Sequence, residues 1–186
     1  MTMEVRQHDV CREGGIDARA LFTLNYGVYI VSTAHEGRMN GQIINALMQV
    51  TGDPICIAAC LHRENFTTEL VRRSGRFSVS VLEESVPLKF IGVFGFRCGR
   101  EFDKFKECAY TVDEAGMPLV TDYTIAGIEA KVVSSVDVHT HTIFIGEVER
   151  AAFLKEGTPL TYANYHNIKK GKSPDKAPSF VFNTLK

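Results

Sequence analysis

A short apolar segment, Ile55–Leu61, constrains the fold of this chain more than any other feature of its sequence. The segment is too short for an ordinary helix. Asp53 and Pro54 precede it and His62 and Arg63 follow it, and such residues are typical of turns. A continuous apolar run of this length predicts a fully buried strand. We therefore expect residues 55–61 to lie centrally in a β-sheet.

A helix is expected over residues 67–74, directly after that strand. Thr67 or Thr68 can cap its first turn, and Gly75 suits the left-handed residue that commonly ends a helix. A helix N-terminus exposes unpaired N–H groups and the positive end of the helix dipole. With Arg63 beside it, this position could hold a phosphate group. A capped helix without any ligand explains the same residues, so both interpretations stay open.

The other segments of the chain are also mainly of β type. Alternating apolar and polar residues, or many β-branched and aromatic ones, predict strands. The predicted strands cover residues 20–34 (one bent strand or two short ones), 38–45, 76–82 (half-buried), 123–137 and 140–154, the last two joined around His139. A polar loop with Asn45, Gln49 and Thr51 is expected before residue 55, and a second helix over 86–94. Many strands with few short helices predict a mainly β fold, an antiparallel β-barrel with short helical insertions.

The length of 186 residues is large enough for one good hydrophobic core and small for two, so one main domain is expected. Residues 1–17 are polar and predict an N-terminal arm, followed by the barrel domain at 18–154. Residues 155–186 form a C-terminal extension. Its part up to residue 178 is rich in Lys, Pro and Gly, a composition that predicts an irregular tail.

Composition and short motifs exclude several classes of function. A net charge of −1 and a pI near 6.6 argue against nucleic-acid binding. No apolar run reaches the ~18–20 residues of a membrane span, and the first residues are polar, so we expect a cytoplasmic protein. No GxGxxG or P-loop motif is present. The five cysteines contain no CxxC pair, which argues against a disulfide framework and against a zinc or rubredoxin-type iron site.

Three motifs, in the same order along the chain, carry a resemblance to a known family. They are RMNGQIINALMQVTGDPICIAACLHRENFTT at 38–68, FGFRCGREFDKF at 94–105 and VHTHTIFIGEV at 138–148. Together they resemble the flavin reductase-like, FMN-binding split-barrel proteins, and especially the flavoredoxins and the flavin domain of high-molecular-weight rubredoxins. The resemblance covers roughly residues 18–168. It implies an antiparallel split β-barrel with FMN as its cofactor.

The resemblance also implies which residues hold FMN. The first segment would follow the flavin ring and the ribityl chain, the second would hold the ribityl chain and the phosphate, with Arg63 as charge partner, and the third would lie near the ring. In this sequence the implied residues are Asn45, Ala46, Leu47, Met48, Gln49, Val50 and Thr51, then Leu61, His62, Arg63, Asn65, Phe66 and Thr67, and finally Arg97, Cys98 and Gly99. Family members commonly carry serine at the position of Cys98.

His141 matches a histidine that the family carries before its last long strand, although this chain has VHTH in place of the GDH-type turn. Hydride transfer from a nicotinamide to a flavin requires close positioning and exclusion of water, and no protein acid or base on the donor carbon. His141 is therefore expected to orient the substrate. The resemblance further implies that Tyr165 and His166 fold back on the barrel or on a partner subunit.

Three functions remain open at this level. The first is a homodimeric FMN flavoprotein that oxidises NAD(P)H and reduces free flavin, ferric iron or a small redox protein such as a rubredoxin. The second is an FMN-carrying electron shuttle without its own NAD(P)H site. The third is a metal-binding barrel that uses His139 and His141, two residues apart, with His62 or His166 as a further ligand. Direct bleaching of the protein by NADH or NADPH would separate the first from the second.

Overall fold

A seven-stranded antiparallel sheet dominates the computed structural model, which describes residues 18–174 and 176–179. The predicted N-terminal arm lies outside these residues. In chain order the strands are β1 (Tyr29–His35), β2 (Arg38–Ile44), β3 (Leu47–Gly52), β4 (Ile55–His62), β5 (Arg76–Leu82), β6 (Tyr110–Val112), β7 (Pro118–Val120), β8 (Thr124–Val138) and β9 (His141–Phe153). The helices are α1 (Phe66–Ser74), α2 (Leu88–Phe96) and α3 (Tyr162–Asn167), with 3-10 segments at Ala18–Thr23 and Lys104–Glu107.

The strand order of the sheet is β2-β1-β5-β8-β9-β4-β3, and β6 pairs with β7 in a separate hairpin. As the apolar segment predicts, β4 is an interior strand, with β9 on one side and β3 on the other. The two long strands β8 and β9 are joined by a tight turn in which His139 has a φ of 47°. The expected mainly β, antiparallel fold is confirmed.

The connection between β2 and β3 forces this sheet to curl. The two strands lie at opposite edges in the sheet order, yet only Asn45 and Ala46 separate them in sequence. Three residue steps, from Ile44 to Leu47, span at most about 11 Å. The two edges of the sheet must therefore approach each other, and the polar ends of β2 and β4 are brought together at that junction.

Two apolar clusters fill the interior. The first surrounds α2 and contains Phe90, Phe94 and the buried Tyr165 of α3. The second lies between the curled sheet and α1 and contains Phe77 and Phe144. Large side chains are therefore buried on both sides of β1 and β5. Two such packed clusters make these strands a rigid support for the cleft at the sheet's junction, without a second domain.

Two segments have a different type of secondary structure from the one predicted. Residues 47–52, expected to be a loop, form edge strand β3, in which every residue from Met48 onward is exposed. An edge strand without a buried face lacks the alternation that identifies strands. Residues 20–23, expected to begin a strand, belong to a 3-10 segment, and β1 starts only at Tyr29.

Helix α1 begins one residue earlier than predicted and has a different cap. Asn65 is the N-cap residue, and its side chain makes no capping hydrogen bond. Thr67 and Thr68 lie inside the first turn, are buried, and bond to neighbouring segments. Gly75 ends the helix with a φ of 67°, as predicted. None of the helices in the described part of the chain is long and apolar enough to cross a membrane.

Strand β5 was expected to be half-buried but is covered on both faces. Ser78 and Ser80 are completely buried, and their hydroxyl groups donate hydrogen bonds to the carbonyl oxygens of Pro118 and Val120. The β6–β7 hairpin therefore covers the face of β5 that carries Ser78 and Ser80, which was expected to meet solvent. Hydrogen bonding of both hydroxyls removes most of the cost of burying them.

Candidate functional site

A cleft of about 370 Å³ lies where the two edges of the curled sheet meet. It is lined by β2, by the end of β4, by the N-terminus of α1, by the loop after α2, and by the C-terminal residues 172–174 and 176–178. Its walls include the apolar side chains of Ile44, Ile91 and Phe94 and the rings of Tyr162 and Tyr165. Such a cleft is suited to a ligand with a large apolar part.

Two buried polar groups that line this cleft do not use all of their bonding capacity among the described residues. Gln42 is buried, and its Oε1 finds no hydrogen-bond partner among the described residues. Lys104 is 3% exposed, and its Nζ donates to the carbonyl oxygens of Gly41, at 2.8 Å, and Phe94, at 3.2 Å. A buried acceptor and a buried ammonium group indicate a ligand that supplies both a donor and negative charge.

Burial also changes the acidity of Lys104. Desolvation lowers the pKa of Lys104 to about 8, and the nearby Cys98 acts weakly in the opposite direction. Among the described residues, no carboxylate contributes to the environment of this ammonium group. With a pKa of about 8 this ammonium group is still mostly charged at pH 7, and an anion bound beside it would stabilise the charged form further.

The N-terminus of α1 lies at the same end of the cleft. Asn40 Nδ2 donates to Thr67 Oγ1 at 2.9 Å and so ties β2 to the first turn of the helix. Gly99 packs closely on this pair, because a Cβ at position 99 would lie 2.0 Å from Asn40 Oδ1. The first N–H groups of a helix have no intrahelical partner. Lys104 and the first turn of α1 both line the cleft, and this combination suits an anion such as a phosphate.

The C-terminal segment closes another side of the cleft. It is irregular as predicted except for α3, and part of it packs on the rest of the chain. Asn45 Nδ2 donates to Ser179 Oγ at 2.9 Å, and Lys176 Nζ lies 2.9 Å from Glu64 Oε2. The buried Tyr165 donates its hydroxyl to the carbonyl oxygen of Lys172 at 2.8 Å. Tyr165 folds back on the sheet as the resemblance implied.

A second, more open cleft of about 770 Å³ adjoins the first. It is lined by His62, Arg63, Glu64, Arg72, Asp137, His139, Thr140 and Lys176. Arg72 forms a salt bridge with Asp137 and donates to Thr142 Oγ1 at 2.7 Å. Hydrogen bonds from Thr142 and Arg72 hold the pKa of Asp137 below its usual value. This cleft is therefore mainly cationic.

His62 lines both clefts, and His141 lies beside it but lines neither of them. They are directly paired across β4 and β9, and their ring centroids are 5.0 Å apart. Burial, and then the neighbouring His62, lower the pKa of His141, while the backbone of Lys176 acts in the opposite direction. His141 is therefore mainly neutral at pH 7, which suits an orienting role better than an electrostatic one.

The metal-binding alternative lacks a ligand set in the described part of the chain. No three His, Cys, Asp or Glu side chains there lie close enough together to hold a metal ion. His139 is in the turn between β8 and β9, with a positive φ, whereas His141 is on β9. The two histidines therefore do not share one strand, which was the condition for that hypothesis.

The structure brings part of the predicted FMN-binding set together. The residues of this set that line the first cleft are Asn45, His62, Asn65, Phe66, Thr67, Arg97, Cys98 and Gly99. The others lie elsewhere: Leu61 is buried in the second apolar cluster, Arg63 lines the second cleft, and Ala46–Thr51 run from the junction along β3. Whether these residues reach a ligand depends on what covers β3.

Sequence analysis did not single out several residues of the first cleft, among them Asn40, Gln42 and Lys104. Asn40 and Gln42 are two residues apart on a predicted strand, so their shared face could have been recognised from the period of the strand. Lys104 belongs to the FDKF part of the second motif. Nothing in the sequence indicates that this lysine is buried, because its burial depends on contacts with residue 41 and residue 94.

The fold and the cleft by themselves indicate a class of protein. A curled antiparallel sheet holds a cleft with apolar, aromatic walls, a buried cation and a helix N-terminus at one end. That combination matches an aromatic ring system joined to a phosphate, the chemistry of a flavin nucleotide.

Comparison with known proteins gives the family. Residues 21–169 match the family described as "Flavin reductase like domain". This chain belongs to the flavin reductase-like family, which confirms the resemblance and makes the chain an oxidoreductase of the flavin reductase type.

Individual relatives agree with this membership. The chain is 49% identical over 162 residues to a "Ferric-chelate reductase (NAD(P)H)" of Archaeoglobus fulgidus, covering 87% of this chain and 96% of the relative. It is 46% identical over 166 residues to a "High molecular weight rubredoxin" of Moorella thermoacetica, covering 89% and 72%. Among solved structures, the styrene monooxygenase flavin reductase of Pseudomonas putida S12 superposes with a TM-score of 0.66 at 31% identity, over 78% of this chain and 91% of that one.

Proposed function

We propose that this protein is a homodimeric FMN flavoprotein that oxidises NAD(P)H and passes the electrons to an acceptor such as ferric iron, free flavin or a rubredoxin. The observation that carries this proposal is the pair Lys104 and Gln42 in the cleft, where a buried ammonium group and an unpartnered Gln42 Oε1 suit a polar, anionic ligand. Similarity to a ferric-chelate reductase over nearly its whole length supports the donor and one acceptor. The curled sheet would be the split barrel of the family.

The residues present fit FMN in one orientation. Lys104 and the first turn of α1 would hold the phosphate, and Thr67 and Asn40 would be the neutral groups beside it. Gln42 Oε1 would accept a hydrogen bond from the ligand. A bound flavin would supply the chemistry of hydride acceptance and stepwise electron release. His141 would help to orient the nicotinamide, and the C-terminal segment would keep water out of the cleft.

The proposed dimer rests on an exposed apolar face. Met48 and Val136 are exposed, and strand pairing places both on the outer face of β3-β4-β9-β8, the face opposite the second apolar cluster. Ile55 and Val138, at the ends of these strands, are also exposed. A second copy covering this face would bring its own residues against Ala46–Thr51, and those predicted FMN contacts would then form at the subunit interface.

We expect the purified protein to be yellow and to be bleached directly by a pyridine nucleotide. The measurement is an absorbance spectrum of the protein as isolated, followed by anaerobic addition of NADH or NADPH and then of ferric citrate, free flavin or a rubredoxin. Reoxidation by one acceptor would identify it. A colourless protein that does not bind added FMN would refute the proposal. Bleaching only through a separate reductase would instead support the electron-shuttle alternative.

Replacing Val136 by aspartate is expected to convert the dimer to a monomer and to lower its flavin content, because a charge in the centre of an apolar interface is costly. Light scattering coupled to size-exclusion chromatography measures the mass, and absorbance measures the flavin. The control is Leu88→Asp, which changes an exposed leucine at the first turn of α2, where an acidic residue is favourable. A Val136→Asp dimer with full flavin content would contradict the proposed interface.

A further inference from the structure

We infer that the second cleft binds the pyrophosphate of the pyridine dinucleotide, with Arg63 and Lys176 as its principal contacts. This inference rests on the proposed function, since it assumes a nicotinamide in the first cleft. The residues of the predicted FMN-binding set lie mainly at the first cleft, and only His62 and Arg63 line the second. Arg63, which the resemblance assigned to the flavin phosphate, lines the second cleft and not the first.

The charges around the cleft leave Arg63 available for an anion. Three cationic side chains, Arg63, Arg72 and Lys176, face two carboxylates, Glu64 and Asp137. Both guanidinium groups share Asp137, but they do not share it equally. Arg72 and Thr142 both bond to its Oδ1, whereas Arg63 approaches only Oδ2, at 3.8 Å. The cleft therefore has one more positive group than its carboxylates neutralise.

Arg63 keeps most of its donors free within the described part of the chain. Its one direct hydrogen bond there is to the carbonyl oxygen of His139, at 3.2 Å, and its side chain is 52% exposed. A guanidinium presents five N–H donors in a planar fork that matches two phosphate oxygens. Lys176, on the C-terminal segment, adds a flexible ammonium group that forms a salt bridge with Glu64.

The two clefts meet in a way that suits a dinucleotide. Lys176, Glu64 and His62 line both of them. A nicotinamide ring in the first cleft would direct its ribose and pyrophosphate past His62 into the second. The flavin phosphate would have its own site at Lys104 and the N-terminus of α1. Each anion therefore has a separate cationic site, which avoids repulsion between them.

The test compares Arg63→Ala with Arg63→Lys and with the matched control Arg73→Ala. Arg73 is an exposed arginine of α1 that pairs with Glu69 and lines neither cleft. In the flavin-loaded protein, NADP+ and NAD+ are titrated without turnover, and the dissociation constant is read from the change in the flavin spectrum. We expect Arg63→Ala to raise it about tenfold or more, and Arg63→Lys to restore part of the affinity. Arg73→Ala should bind like the parent protein.

Lys176→Ala provides an independent second variant and should also weaken dinucleotide binding. Added inorganic pyrophosphate should compete with the dinucleotide in the parent protein and less well in Arg63→Ala. Unchanged dinucleotide affinity in both variants would overturn the inference. Loss of flavin in Arg63→Ala, or a change confined to the ferric acceptor, would also overturn it, because Arg63 would then serve a different anion. Failure of the parent protein to bind flavin would instead refute the proposed function.

Discussion

Replacing Lys104 by methionine is expected to weaken FMN binding about 100-fold, because the variant removes the buried cation proposed to hold the phosphate. Methionine is close to the lysine stem in length and can fill the same space. The measurement is the dissociation constant of FMN for flavin-depleted protein, read from quenching of flavin fluorescence. A Lys104→Gln variant retains a hydrogen-bond donor without the charge and should recover only part of the affinity.

The matched control is Lys106→Met, two residues further along the same 3-10 segment, where the lysine is exposed. This control should bind FMN like the parent protein. Equal binding by Lys104→Met and the parent would mean that the phosphate lies elsewhere. A circular dichroism spectrum and a thermal unfolding curve of the flavin-depleted variants establish that any loss of binding is not a loss of fold.

The same lysine predicts a pH dependence. The pKa of Lys104 in the folded, ligand-free protein is about 8, and the charged form is the one that attracts a phosphate. FMN affinity should therefore fall as the pH rises through about 8, and Lys104→Met should lose this dependence. In the ligand-free protein, the unfolded chain binds more protons than the folded one between pH 8 and the ordinary lysine pKa of 10.5. The free energy of unfolding should therefore gain from this group as the pH rises through that window.

Replacing Phe77 by alanine is expected to lower the free energy of unfolding by about 3–5 kcal/mol, a large part of the ~5–15 kcal/mol of a typical domain. Phe77 is 1% exposed and lies in the second apolar cluster. Its ring packs against the backbone of β9, since a Cβ at Gly146 would lie 2.7 Å from the ring. The resulting cavity would be surrounded by strands on several sides and could collapse only partly.

Chemical denaturation of the parent protein and of Phe77→Ala, followed by circular dichroism, measures this loss of free energy of unfolding. Phe153→Ala is the control of the same chemistry, because Phe153 is 86% exposed at the end of β9, and its replacement should change the free energy of unfolding by no more than about 0.5 kcal/mol. Similar midpoints for the two variants would show that Phe77 is not part of a rigid core.

Much of the fold could be predicted from local patterns. The buried strand β4, the helix that ends at Gly75, and the long β8–β9 hairpin each have a sequence signal within the element itself. Predictions failed where the signal was not local. Strand β3 has no buried face, and β5 is covered by a hairpin forty residues further along the chain.

The candidate site was harder to predict than the fold. Residues 38–68 do supply both the end of β2 and the start of α1, and the two lie at one cleft as expected. Arg63, however, is only two residues from Asn65 in sequence and faces a different cleft. A short loop between a strand and a helix can direct neighbouring side chains to opposite sides, and spacing along the chain does not reveal which side each one takes.

By itself, the sequence determined the class of fold, the family and the segments from which the cleft is built, because strand periodicity and ordered motifs are properties of the chain taken locally. Only the tertiary structure decided which polar groups act together. The curl of the sheet buries Lys104 against residues 41 and 94 and leaves Gln42 Oε1 without a hydrogen-bond partner among the described residues, while Arg63 and Lys176 line one cleft although more than a hundred residues of chain separate them. Such distant contacts depend on how all the elements pack at once, and no local pattern encodes them.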